Sequence, residues 1–276
     1  MSNVVFDENT IDGISARVPK PEREYMGEDG LLHCAVCHKN VQTVVEFMGI
    51  KKTVRCICQC RVDEMNAEKE RERQQALERQ RRICFEESNM WNWTFENDDR
   101  RNAKISDAMM RYADNFAEFR KDSKGLLLFG PCGTGKTYYA ASIANRLIDS
   151  GYEVLMTNFS RLTNKIQGMF DGKQEYIDSL NRYTLLIIDD LGAERSSEYM
   201  QEMVFNIIDA RYRSGLPFII TTNLTAEELK KPQDVGHSRI YDRILERCLP
   251  VEVKGSSRRR QNLKDTAETM REKLGL

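Results

Sequence analysis

The sequence predicts an α/β fold: a parallel five-stranded sheet between helices, preceded by a small cysteine-rich unit. Three observations predict it. Short apolar runs rich in β-formers recur as "LLLF", "EVLMT", "LLIID", "FIITT" and "PVEV" between residues 126 and 253. Amphipathic helical stretches separate them, and such alternation puts parallel strands under helices on both faces. Five of the 8 cysteines crowd into residues 31–60, a segment too small to bury a sufficient core by itself.

Composition sets the outer bounds. The chain has 276 residues, enough for one or two domains. It is 40% hydrophobic and 31% charged, with a formal net charge of -1. That describes a well-solvated globular protein and excludes a uniformly basic nucleic-acid binder, while leaving room for local basic patches. No run approaches the ~18 apolar residues of a membrane span. The opening "MSNVVFDENTIDG" has neither a basic n-region nor an apolar h-region. A cytoplasmic protein without membrane contact is expected, its cysteines serving as thiols or metal ligands rather than disulfides.

Taken in order, the first twenty-five or so residues are polar and poorly patterned, and are expected to be loose. Residues 1–60 form the cysteine-rich N-terminal domain. Residues 61–92 form a charged helical linker: "RVDEMNAEKERERQQALERQRR" alternates Arg and Glu, reading as an exposed helix laced with i,i+4 pairs and lacking a core-facing stripe. Residues 93–259 form the main α/β domain, and residues 260–276 a basic tail. In "NAKISDAMMRYADNF", Ile105, Met109, Tyr112, Ala113 and Phe116 share one helical face. The five strand runs follow, with Gly151 stopping the first crossover helix.

"GPCGTGKT", residues 130–137, sits between a strand and a helix. Gly130, Gly133 and Gly135 let the backbone curl with its N–H groups inward around phosphate. Pro131, Cys132 and Thr134 occupy the variable positions, and Cys132 is assigned no chemistry. Lys136 carries a positive charge to β- and γ-oxygens, and the Thr137 hydroxyl can ligate Mg²⁺. Tyr138 follows at the start of the helix, whose positive dipole end faces the same anion.

"LLIIDDLG" ends a buried strand in paired acids, which calls for a cation nearby. Asp189 would hold Mg²⁺, and Asp190 would point at an attacking water. "FIITTN" brings Asn223 to the same edge, where an amide can orient that water. Ligands gather at the carboxyl ends of parallel strands, so loop and acids can meet. Two acids, a water-positioning amide and no second substrate pocket favour hydrolysis over transfer.

"GLLLFGPCGTGKTYYAASIANRLI", "LLIIDDLGAERSSEYMQEMVFNIIDARYRSGLPFIITTNLTAEEL" and "RIYDRILERCLPVEVKGSSR" together resemble the DnaC/DnaI helicase-loader family of AAA+ (ASCE P-loop) ATPases, and the related IstB transposition helpers. The resemblance covers about Trp93 to Arg259, and it is compatible with phage or prophage origin. It implies ATP as the nucleotide, Lys136 and Thr137 as Walker A, Asp189 and Asp190 as Walker B, and Asn223 as sensor 1. In "RIYDRILER" it implies Arg243 as the arginine finger reaching a neighbouring subunit, with Arg239 and Arg247 one turn away as alternatives. Arg258 matches the terminal sensor arginine. A homo-oligomer forming on ATP or helicase binding follows from a finger supplied in trans. With some twenty residues after Arg258, the helical lid of many AAA+ proteins is expected to be lacking, as in the loaders. Asp190 stands where many AAA+ enzymes carry Glu, and its shorter arm predicts slow, partner-regulated hydrolysis.

Cys34-x-x-Cys37 followed by Cys56, Cys58 and Cys60 gives paired knuckles suited to a tetrahedral thiolate site, hence Zn²⁺ in a zinc-ribbon-like domain. Phage loader-like proteins similarly end this module in C-x-C, which favours Cys34, Cys37, Cys58 and Cys60 as ligands, with Cys56 the alternative. His33 and His38 are read as neighbours, and an iron–sulfur cluster is a lesser reading. Cys84, Cys132 and Cys248 are scattered. In the resembling family such a module contacts the replicative DNA helicase. The stretches "TNFSRLTNKIQ" and "KGSSRRRQNLK" offer basic and polar groups to single-stranded DNA. The resulting expectation is an ATP-switched loader of a replicative helicase. The alternatives are an IstB-type ATPase remodelling DNA, and a zinc-dependent adaptor whose nucleotide site is structural.

Overall fold

A computed structural model describes residues 23–86, 89–192, 198–232, 234–259, 270–271 and 273–275. The expectation for residues 1–22 lies outside these, and that for the tail 260–276 lies largely outside them. The chain divides into two compact units between Ala76 and Leu77.

The smaller unit holds two antiparallel hairpins. β1 (Glu24–Met26) pairs with β2 (Leu32–Cys34), and β3 (Gln42–Phe47) with β4 (Ile50–Arg55). Met48 and Gly49 close the second hairpin at φ 48° and 78°, both left-handed, as a two-residue turn matched to strand twist requires. Among the described residues, the buried apolar core of this unit is Leu32, Val41, Cys34 and Cys58. So small a core needs a further source of stability.

α1 (Gln59–Phe85) follows, and its early turns carry the exposed pairs Arg61–Glu64 and Arg73–Glu70. Its end departs from the expectation of a spacer without an apolar face. Cys84 and Phe85 are buried in the core of the larger unit, and Leu77 packs against it. Arg81 pairs with Asp149. The reason is local: charge dominates through Arg82, but "ICF" then ends the helix on apolar groups.

After the end of α1, the larger unit continues with α2 (Ala103–Asp114), capped by Asn102, whose side chain accepts the Ile105 N–H, and then α3 (Phe116–Lys121). The expected face is formed: Met109, Tyr112, Ala113 and Phe116 are buried, and Ile105 packs against them. Next come β5 (Gly125–Phe129), α4 (Lys136–Asp149), β6 (Val154–Asn158), α5 (Phe159–Gln167), α6 (Lys173–Ser179) and β7 (Leu185–Leu191). The unit continues through α7 (Glu198–Ser214), β8 (Phe218–Thr222), α8 (Ala226–Lys230), α9 (Val235–Arg247) and β9 (Cys248–Glu252).

The five expected strands form one sheet in the order β6-β7-β8-β5-β9, every pairing parallel. Strand alternation divides their side chains between two cores. Leu126, Leu128, Ile187 and Ile219 face one, with Tyr139, Ile143 and Leu147 of α4. Leu127, Leu186, Ile188 and Ile220 face the other, with Val204 and Ile208 of α7 and Ile240 and Ile244 of α9. β8 lies between β5 and β7, so its carboxyl end separates the phosphate-type loop from the paired acids. Among the described residues no helix is long and apolar enough to cross a membrane.

Candidate nucleotide site and candidate metal centre

The loop after β5 is held open by its glycines. Gly133 sits at φ 82°, and a Cβ there would lie 2.2 Å from Ser257 Oγ, so any other residue would strain the turn and displace that hydroxyl. Gly135, at φ 104°, turns the chain into α4. Thr134 Oγ1 donates to the Pro131 carbonyl at 3.0 Å. Cys132 is exposed at the rim.

Lys136 is 6% exposed. Its ammonium donates to the carbonyls of Gly130 and Pro131 and to Asn223 Oδ1, each at 2.8 Å. Burial holds this ammonium below the ordinary lysine range, against the attraction of Cys132, Asp190 and Asp189. Asn223 Nδ2 in turn donates to Asp190 Oδ1 at 2.8 Å. Thr137 Oγ1 donates to Asp189 Oδ2 at 3.2 Å, and Thr221 Oγ1 to Asp189 Oδ1 at 2.5 Å. Burial pushes the Asp189 carboxyl up, and the two hydroxyls oppose it. Lysine, amide and both acids, taken from three strand ends, thus meet in one polar network. They line a cleft of about 430 Å³ with Trp93, Tyr138 and Arg258.

Arg258 reaches this cleft through the chain after β9. Its N–H donates to the Gly133 carbonyl at 2.9 Å. Its guanidinium lies 3.4 Å from Asp98 and 3.1 Å from Asp99, and donates to Tyr139 Oη at 3.3 Å. Tyr138 Oη donates to the Thr94 carbonyl at 2.7 Å, and burial pushes this phenol up to about 12.

The α9 arginines lie elsewhere. None of Arg239, Arg243 and Arg247 lines the cleft. Arg243 donates to Asp209 Oδ1 at 2.8 Å and stacks on Phe205 at 4.5 Å. Arg247 stacks on Tyr212 at 4.7 Å. Arg239 is exposed, 5.9 Å from the Phe205 ring.

In the smaller unit the sulfurs of Cys34, Cys37, Cys58 and Cys60 all lie within 4.8 Å of one another. Cys56 stands outside this group, its thiol directed to the Asn40 carbonyl at 3.4 Å. The N–H groups of Cys37 and Val36 pull the Cys34 thiol down to about 6, and the Lys39 N–H lowers Cys37. Burial raises Cys58, and neighbouring thiols raise Cys60. His33 is turned to Asp29, 2.9 Å from its carboxylate.

Sequence reasoning missed Thr221, the Asp98–Asp99 pair and Asp209. Only Thr221 left a signal: a hydroxyl closing the buried run "FIITT" must find a partner at the strand end.

A family model described as IstB-like ATP binding protein matches residues 51–266. The replicative helicase loader DnaI of Bacillus subtilis (strain 168) is 25% identical over 167 residues, 55% of this chain and 54% of that protein. DnaC of Buchnera aphidicola subsp. Acyrthosiphon pisum, also a replicative helicase loader, is 28% identical over 161 residues, 56% of this chain and 61% of that one. The chain thus spans little more than half the length of these curated relatives. A crystal structure of DnaI matches with a TM-score of 0.51 at 28% identity, over 61% of this chain and 92% of that one. A crystal structure of the DnaC helicase loader shares the fold, with a TM-score of 0.52 at 22% identity over 60% and 99%.

Proposed function

The chain belongs to the IstB-like ATP binding protein family, and from that premise we propose that it is an ATPase that loads a replicative DNA helicase onto single-stranded DNA. The observation that carries the reading is the network joining Lys136, Asn223, Asp190, Asp189 and Thr137, in a chain similar to helicase loaders.

The loop N–H groups and the start of α4 bind the ATP phosphates. Lys136 turns its ammonium from the loop carbonyls to the β- and γ-oxygens. Thr137 and Asp189 would hold Mg²⁺: a hydroxyl and a carboxylate suit a hard cation, and a buried carboxylate calls for one. When bound, the ion neutralises charge on the β- and γ-phosphates. Asp190 and Asn223, hydrogen-bonded to each other, orient the attacking water. The short Asp190 arm keeps turnover slow. Arg258, anchored beside the loop, senses the nucleotide. An arginine of α9, outside its own cleft, serves a neighbouring copy in an ATP-dependent oligomer.

Cys34, Cys37, Cys58 and Cys60 would hold Zn²⁺. Four clustered thiols, the first knuckle backed by N–H donors that favour thiolate, fit such a site. The metal would supply stability that the small core lacks. Phe47, Met48 and Ile50 at the exposed tip of the β3–β4 hairpin give this unit an apolar surface for the helicase. Fully exposed Phe170, between Lys165 and Lys173, supports contact with single-stranded DNA by stacking and charge.

Co-purification with the replicative helicase in ATP, ADP or no nucleotide tests the reading. A nucleotide-dependent complex is expected, with Lys136→Ala abolishing ATP binding and the dependence. Absence of a complex in every state would overturn it. A second reading, an IstB-type DNA-remodelling ATPase, rests on the family description alone; the cysteine module argues against it, and ATP-dependent filaments on duplex DNA would support it. A helicase complex indifferent to Lys136→Ala would support a zinc adaptor with a structural nucleotide site.

A further inference from the structure

The ladder between β7 and β8 contains an irregularity at its most chemically important point. It runs Leu186–Phe218, Ile187–Ile219, Ile188–Ile220 and resumes at Leu191–Thr222. Asp189 and Asp190 therefore stand against Thr221 alone. Such a two-for-one bulge is rare between parallel strands. Asp190 adopts φ 64°, a left-handed conformation that few residues other than glycine take. In a regular strand, consecutive side chains point to opposite faces, so two adjacent acids would diverge across the sheet. With the bulge, Asp189 meets Thr137 while Asp190 meets Asn223.

One hydroxyl holds this arrangement. Thr221 is 1% exposed. Its Oγ1 donates to Asp189 Oδ1 at 2.5 Å and accepts the N–H of Asp190 at 2.9 Å. It thus satisfies the side chain of the first acid and the backbone of the second. Thr222 secures the point where pairing resumes, donating to the Leu191 carbonyl at 2.7 Å. A bulge takes backbone groups out of the ladder, and a buried N–H must find another acceptor. Valine would copy the shape of Thr221 and offer neither bond.

We propose that Thr221 is a positioning residue of the hydrolytic site: its hydroxyl pins the bulge that aims Asp189 at the metal position and Asp190 at the water position. The inference rests on the ATPase reading above.

The test uses the full chain, with Thr221→Val, Thr221→Ser and Thr221→Cys. Affinity for a fluorescent ATP analogue is measured in Mg²⁺ and in EDTA, alongside steady-state ATP hydrolysis. Thr221→Val is expected to bind the analogue in EDTA as the wild type does, and to lose most of the gain in affinity that Mg²⁺ confers. Its turnover should fall by about tenfold to a hundredfold with a smaller change in KM. Thr221→Ser, which keeps the hydroxyl, should recover both properties. Should the valine variant not fold, Thr221→Cys takes its place, serine-sized with a weak donor. Wild-type Mg²⁺ gain and turnover in the valine or cysteine variant would overturn the proposal. So would a serine variant as impaired as the others, because packing of the methyl group would then be the cause. A wild type that binds Mg²⁺–nucleotide but never hydrolyses it, with or without helicase, would sink the ATPase reading, and the Mg²⁺ affinities would still judge Thr221. A wild type with no Mg²⁺ gain would overturn both.

Discussion

Arg243 and Arg239 differ in what their guanidinium groups already do. Arg243 is engaged within its own chain, bonded to the nearly buried Asp209 and stacked on Phe205. Arg213 still pairs with the other oxygen of that carboxylate, so removing Arg243 deprives only Oδ1 of its donor, which costs about 1 kcal/mol. Arg239 is exposed and only loosely placed over the same ring. Arg243→Ala is therefore expected to lower the melting temperature by several degrees, and Arg239→Ala to leave it unchanged while reducing helicase-stimulated hydrolysis. Thermal melts and ATPase assays on both variants check this. A stable Arg243→Ala protein without stimulated hydrolysis would assign the finger to Arg243, as the family resemblance implies. The sequence could not separate the candidates, because spacings of four residues put all three on one helical face. Their acidic partner, Asp209, comes from another helix altogether. Lys136, Asp189 and Asn223 were legible because each is tied to a local pattern, a glycine loop or a strand end.

α9, which carries these arginines, starts from a cap readable as "DVGH". Asp234 accepts the His237 N–H at 2.9 Å, its ring lies 2.6 Å from the same carboxylate, and Gln201 of α7 donates to it at 2.8 Å. The His237 N–H first, then its ring, hold the Asp234 carboxyl down at about 2. The unfolded value is about 3.9. A depressed folded value means stability that is complete above the unfolded pKa and lost as pH falls through the folded one. Asp234→Ala is thus expected to melt below the wild type at neutral pH, with the gap closing as pH falls from about 4 toward 2. Melting temperatures across that range test it; a gap independent of pH would rule out the carboxylate as its source. Helix α1 shows the limit of element-scale reading. Its charge pattern gave a solvated helix, true of its early turns, while its end is core because β-sheet and α4 surfaces supply neighbours that periodicity cannot reveal.

On the scale of the whole molecule, the two units should respond separately to metal removal. A strong chelator, or Cys37→Ser, is expected to unfold the smaller unit and abolish the helicase complex, while ATP binding by the larger unit persists. Limited proteolysis and nucleotide affinity, followed together, check this. Parallel loss of ATP binding would contradict the separation of tasks. The larger unit owes its site to strand order. With β8 between β5 and β7, Thr221 and Asn223 arrive between the loop and the acids and add to the direct Thr137–Asp189 bond.

The sequence by itself determined the strand and helix alternation, the phosphate-type loop, the acid pair and the pairing of cysteine knuckles. These depend on neighbours along the chain: glycines that permit a turn, apolar period, cysteine spacing. Only the tertiary structure decided that Cys56 is turned away, that Arg258 leans on Asp98 and Asp99, and that a bulge pinned by Thr221 brings both acids to one cleft. Those outcomes rest on contacts between residues far apart in the chain, where register and packing choose among side chains that the sequence leaves equivalent.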